Sequence, residues 1–210
     1  MATPKSQQIG IWIIATFMII GALGSSLMIV LSNQNQAADS ANLQTISKEY
    51  SAKVATQTTE LSNKYYSEFS KYATTPAVFT ADDVKSLSKI DLKVGDGAEI
   101  KADTAYSAYY IGWNPKGVIF DQSISGGALK APIAGGNLIA GWNEGVIGMK
   151  LGGIREISIP SDKAYGATGA GENIPANTPI KFIVMVIPKV TDVPIPTELL
   201  QYSQSQSASQ

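Results

Sequence analysis

The 210-residue chain carries 16 Lys and Arg against 17 Asp and Glu, a net charge of −1, and has neither cysteine nor histidine. Zinc sites, thiol nucleophiles, disulfides and histidine proton relays are thereby excluded, and no metal or cofactor is expected. With Arg155 as its single arginine, the chain offers no phosphate-reading surface, so no nucleic-acid partner is expected.

Residues 1–8 precede a run, 9–31, that has no charge and is almost wholly apolar. A helix of that length rises about 33 Å, close to a hydrocarbon core of about 30 Å, so the run is read as a transmembrane anchor. Trp12 sits near one end, where an amphipathic ring favours the interface. The alternatives are a cleaved signal peptide, whose apolar region is usually shorter (about 7–15 residues), and a buried soluble helix. Lys5 and the amino terminus are the only positive charges before Lys48. The positive-inside rule then leaves the N-terminus in the cytoplasm and the rest of the chain extracytoplasmic. Gly21 and Ser25 form one small-xxx-small pair that suits helix pairing.

Residues 32–77 are polar, with Leu43, Ile46, Tyr50, Val54, Leu61, Tyr65, Phe69 and Tyr72 at roughly helical intervals. No glycine or proline interrupts them, which predicts a helical stalk over about 40–73, ended by Thr75-Pro76. Two readings stand: a self-associating or client-binding face, or an amphipathic spacer that packs loosely or stays solvated. Many threonines and irregular heptads favour the spacer.

Glycine is absent between Ser25 and Val94 and proline between Lys5 and Thr75, and both return from Gly95 to Pro196. One compact, turn-rich domain is therefore placed at 78–190. Ala77–Thr80 and Val84–Leu92 read as an extended lead-in, and Val94-Gly95-Asp96-Gly97 as a turn. Strands follow at 104–111 and 118–120, joined by the turn Asn114-Pro115-Lys116-Gly117, then a loose loop over 122–134. Leu138, Ile139, Trp142, Val146, Ile147 and Met149 mark one face of a helix of two or three turns. Ile154–Ile159 alternates as a strand stopped by Pro160, 164–178 is a loop of small residues, and 180–187 is a last apolar strand. A short helix against about five antiparallel strands is an α+β domain. The Gln/Ser-rich tail, 191–210, reads as disordered.

Tyr110-Ile111-Gly112, Phe120-Asp121, Gly141-Trp142-Asn143-Glu144-Gly145, Ala164-Tyr165-Gly166-Ala167 and Ile174-Pro175-Ala176-Asn177-Thr178 occur in that order. In these motifs and spacings the chain resembles an FKBP-type peptidyl-prolyl cis-trans isomerase over about residues 88–190. The resemblance implies a twisted antiparallel sheet wrapped around one short helix, preceded here by the anchor and the stalk. It implies a pocket lined by Tyr110, Phe120, Leu138, Ile139, Trp142, Tyr165, Ile174 and Phe182, with Trp142 as its floor. The Ile139 N–H and the Tyr165 hydroxyl would bond carbonyls of a bound peptide or macrolide. Asp121 would sit behind Tyr110, close to the twisting amide, so Tyr110, Asp121 and Tyr165 are the expected catalytic residues. The loop after Asp121, from Gln122 to Lys130, lacks the arginine and aromatic that the family often has at the rim. A more open rim and weaker macrolide binding follow, and Ala170 and Asn173 leave the flap over 164–178 less apolar.

This chemistry needs no nucleophile. Rotation about an X–Pro bond must break amide resonance across a barrier of about 18–20 kcal/mol. A dry pocket removes the water that favours the planar, charge-separated amide, and donors aimed at the rotated carbonyl add to the effect. The sequence thus predicts a membrane-anchored isomerase acting on proline-containing polypeptides during folding, with macrolides such as rapamycin as candidate ligands. The alternatives are a non-catalytic peptide-binding module or holdase chaperone that keeps the pocket without turnover, and a structural surface protein that oligomerises through the stalk.

Overall fold

The computed structural model describes residues 34–207. The expected N-terminus, 1–8, and membrane anchor, 9–31, lie outside the described residues. Among the described residues no helix is long and apolar enough to cross a membrane. The chain divides into two compact units, one formed by Thr58–Val190 and the other holding the described residues on either side of it, 34–57 and 191–207.

The stalk is helical, as its uninterrupted composition predicts. Helix α1 runs Gln34–Phe69, and a 3-10 turn, Ser70–Tyr72, ends it just before Pro76. In the second unit, Thr45 and Thr56 return their hydroxyls to the carbonyls of Ala41 and Ala52, four residues earlier. These bonds satisfy the hydroxyls within the helix, at a small cost to its stability. The Gln57 side-chain amide donates to the Thr191 carbonyl at 2.8 Å. The expectation of a disordered tail does not hold, since Thr197–Ser207 forms a helix, α2. Pro196 cannot be followed by a break of its own kind, because neither glycine nor proline occurs after it, and Glu198 lies in the first turn where the helix dipole favours an acid.

The larger unit is an antiparallel sheet around a short helix. Strands β1 (Ser88–Lys93), β7 (Ile154–Ile159), β8 (Ile180–Pro188), β2 (Tyr106–Trp113) and β3 (Ile119–Gln122) follow in that spatial order, and β6 (Ile133–Ala134) also pairs with β2. The pocket helix, α3, is Ala140–Val146, about two turns. The segment expected to be a loose loop, 122–134, is instead ordered. It holds the hairpin β4 (Ile124–Ser125) and β5 (Ala128–Leu129) as well as β6. Gly126 and Gly127 have φ of 56° and 78°, which suits the two-residue primed turn whose twist matches a hairpin.

Strands β2 and β8 are buried on both faces, which is why 182–187, past Lys181, reads as an unbroken apolar run rather than an alternation. Toward α3 they present Tyr106, Ala108, Tyr110, Ile180, Phe182, Val184 and Val186. On the opposite face, Tyr109, Ile111, Trp113, Ile183, Met185 and Ile187 form a second core with Phe69, Tyr65, Tyr66 and Tyr72 of the stalk. Phe69 is fully buried there. Neither reading of the stalk anticipated this: its last turns, from Thr58, belong to the sheet unit, so that unit begins upstream of residue 78.

Helix α3 lies close to β7 because two glycines, one turn apart, face it. A Cβ on Gly141 would stand 2.2 Å from the Ile159 Cγ2, and one on Gly145 would stand 2.6 Å from the Ile157 Cγ2. The far end of α3 is capped by Arg155, which donates to the carbonyls of Gly145 (2.9 Å) and Ile147 (3.1 Å). Its other nitrogens grip Asp91 in two bonds, 2.7 and 3.1 Å. The one arginine of the chain is thus spent on orphan helix carbonyls and a strand carboxylate.

Candidate active site

All eight residues expected to line the pocket fall in one cluster. Tyr110, Trp142, Ile174 and Phe182 are buried in it, and Phe120, Leu138, Ile139 and Tyr165 are half-buried at its edge. Phe182 is the hub. Its ring meets Trp142 at 5.1 Å and 78°, Phe120 at 5.5 Å and 86°, and Tyr110 at 6.1 Å and 66°. Tyr110 and Trp142 close the set at 5.8 Å and 84°. Edge-to-face contacts of this kind put the positive rim of one ring on the negative face of the next, worth about 0.5–1.5 kcal/mol each beyond area burial. Gly112 makes the approach possible, because a Cβ there would lie 2.5 Å from the Phe182 ring and 2.7 Å from Phe120.

Trp142 is fixed from below. Its indole N–H donates to the Tyr106 hydroxyl at 3.1 Å, and its backbone N–H bonds the Ile139 carbonyl at 3.0 Å. Burial raises the Tyr106 phenol, with the indole bond acting against it. Ile139 is the extended residue before α3, with φ −61° and ψ 151°. That conformation frees its N–H from the helix, and the group donates to nothing among the described residues. The Tyr165 hydroxyl likewise has no partner among them.

Asp121 and Tyr110 are bonded directly: the phenol donates to a carboxylate oxygen. Burial pushes the Tyr110 phenol far above its usual range, and the Asp121 bond and charge push the same way. Tyr165 is also raised, by burial first and then by the Asp121 charge, which places that carboxylate's field over both phenols. The other Asp121 oxygen accepts from the Gln122 N–H at 2.8 Å and lies 3.8 Å from the Lys130 ammonium.

The loop carrying Tyr165, read from the sequence as a flap of small residues, is closed by backbone bonds. They run from Gly169 to Tyr165, from Ala170 to Ile174 and from Asn177 to Gly166. Asn114 ties it to the sheet by donating its side-chain amide to the Asn173 carbonyl at 2.8 Å. Sequence reasoning missed Asn114, Tyr106, Arg155 and Ser123. Ser123 is buried and its Oγ accepts from the Tyr110 N–H at 2.9 Å. Only Arg155, as the sole arginine, carried a signal that could have been followed.

Fold and site define an α+β domain in which a short helix and a sheet clasp an aromatic cluster, with two donors at its edge that have no partner among the described residues. A family model described as FKBP-type peptidyl-prolyl cis-trans isomerase matches residues 95–187. An FK506-binding protein of Neisseria meningitidis serogroup A is 39% identical over 98 residues, covering 46% of this chain and 90% of that protein. FK506-binding protein 4 of Rhizopus delemar is 38% identical over 97 residues, 46% of this chain but 25% of that longer protein. The chain therefore spans about a quarter of the length of some relatives it matches and nearly all of others. The crystal structure of AtFKBP13 is 31% identical, with 50% of this chain and 93% of that one covered at a TM-score of 0.44. The chain belongs to the FKBP-type peptidyl-prolyl cis-trans isomerase family.

Proposed function

We propose that the protein catalyses cis-trans rotation of X–Pro bonds in polypeptides, using Tyr110, Asp121 and Tyr165 at the edge of the aromatic cluster. The proline ring packs against Trp142, Phe182, Phe120 and Ile174, with Leu138 and Ile139 along one side. Apolar contact strips water from the amide and so removes support for its planar, charge-separated form. The Ile139 N–H and the Tyr165 hydroxyl bond substrate carbonyls, and the Tyr110–Asp121 pair presents a fixed polar group to the twisting amide. The observation that carries this reading is the pair of donors, Ile139 and Tyr165, left without partners among the described residues beside a buried aromatic cluster. Each tenfold gain in rate needs only about 1.4 kcal/mol, so a few such contacts suffice.

The uncharged run 9–31 and the scarcity of positive charge after Lys5 support a single-pass anchor, N-terminus in the cytoplasm. Proline-containing chains newly delivered across a membrane are then the natural substrates. FK506-type macrolides, from which relatives take their names, are candidate inhibitors at the same cluster.

The test is a protease-free isomerase assay on the full chain in detergent or nanodiscs, with a proline tetrapeptide. Acceleration that rapamycin suppresses is expected. A folded chain that leaves the uncatalysed rate unchanged defeats the proposal.

A further inference from the structure

The hairpin that follows Asp121 does not stand alone. Ile124 pairs with Leu129 and Ser125 with Ala128, and the Lys130 N–H returns to the Ser123 carbonyl at 2.8 Å. In a two-residue hairpin the pair next to the turn is hydrogen-bonded and the next pair is not. The Leu129 N–H therefore points out of the hairpin. It is caught by the hydroxyl of Ser62, from the stalk helix, at 2.8 Å in a buried bond. Ser62 is itself buried, 6% exposed, and Leu129 is 3% exposed. A few residues on, the Tyr66 hydroxyl lies 3.9 Å from where a Cβ on Gly127 would stand, at the hairpin tip.

The root of this hairpin is part of the candidate site. Ser123 bonds Tyr110 twice, through its N–H to the Tyr110 carbonyl (2.8 Å) and through its Oγ from the Tyr110 N–H (2.9 Å). Lys130, at the other root, faces Asp121. The chain of contacts thus runs from the stalk helix through Leu129 and Ser123 to the Tyr110–Asp121 pair.

We infer that Ser62 is a positioning residue for the isomerase reaction: by holding the Leu129 N–H, the stalk helix sets the hairpin whose root orients Tyr110 and Asp121. A buried backbone N–H left without an acceptor is costly, so the hairpin has no comparable position once Ser62 loses its oxygen. The floor of the cluster, Trp142, Phe182 and Ile174, is held by other contacts and does not depend on this bond. The inference rests on the isomerase reading but is tested separately from it.

In the full chain, Ser62→Ala is expected to lower kcat about tenfold and leave KM near its wild-type value, the split that misorientation of a polar pair over an intact floor gives. Ser62→Thr, which keeps the hydroxyl, is expected to recover most of the loss. Native-state hydrogen exchange supplies a readout that needs no variant: the Leu129 amide should exchange no faster than the amides of helix residues 62–66. If wild type is inactive, the functional reading fails. If wild type is active and folded Ser62→Ala matches it, or if the Leu129 amide exchanges freely in wild type, the positioning role is overturned.

Discussion

The Tyr110 phenol donates to the Asp121 carboxylate from strand β2 to its neighbour β3, and the bond lies part-buried beside the aromatic cluster. Neither group acts alone in this arrangement. Asp121→Asn and Tyr110→Phe are each expected to lower kcat/KM about tenfold, and the double variant to lose little more than either single one. Peptide isomerisation assays on the three variants check this. Additive losses would mean the two groups act independently.

The pH response follows from the phenols. Burial raises Tyr110, Tyr165 and Tyr109 above their ordinary value of about 10, and neighbouring Asp121 or Tyr65 adds to it. Above about pH 10 the unfolded chain gives up these protons while the folded chain keeps them, so stability falls as pH rises. Below that both states hold them and this source of stability is constant. With no histidine or cysteine in the chain, kcat/KM is expected to stay flat between about pH 6 and 9. Urea midpoints and rates measured from neutral to strongly alkaline pH test both halves. A bell-shaped rate profile near neutrality would contradict the second.

Gly141→Ala sets two effects against each other. Alanine in a helix gains about 1 kcal/mol over glycine. Against it stands a Cβ placed 2.2 Å from Ile159, a fully buried side chain with nowhere to move. Overpacking of this sort costs about 1–3 kcal/mol, so the clash wins. Thermal melting of the variant is expected a few degrees below wild type. A rise in the melting temperature would show that α3 rides on β7 more loosely than the contacts indicate.

The helix on the outer face is the other structural wager. Phe69→Ala removes a fully buried ring against Tyr109 and is expected to cost about 3–5 kcal/mol in urea unfolding. A chain beginning at residue 78 lacks that cover altogether. It is expected to bind hydrophobic dyes and aggregate, whereas one beginning at residue 58 stays soluble. Equal behaviour of the two truncations would remove the helix from the folding unit.

The strands and the pocket residues were readable because each announces itself by type and spacing. Ile154–Ile159 alternates, Phe182 sits in an apolar run, and Trp142 opens a short helix between glycines. What could not be read were long-range polar partners. Ser62 and Leu129 are 67 residues apart and bond through a serine hydroxyl that looks like any other in a polar helix. The role of the stalk was hidden for the same reason. Tyr65, Phe69 and Tyr72 have a helical period whether their face meets solvent, another helix or a sheet. The 122–134 segment reads as a loose loop, yet the positive φ angles of Gly126 and Gly127 let a tight hairpin form there.

Strand β8 is the last of the sheet in chain order and lies at its centre, between β7 and β2. Until it is made, β2 and β7 have no strand to join them, and the aromatic side chains of the stalk, made earlier, have no completed surface to settle on. A sheet whose keystone arrives late has distant partners throughout, such as Tyr106 with Pro188. Such a fold closes slowly and all at once, and during its own synthesis this protein is itself a chain in need of protection.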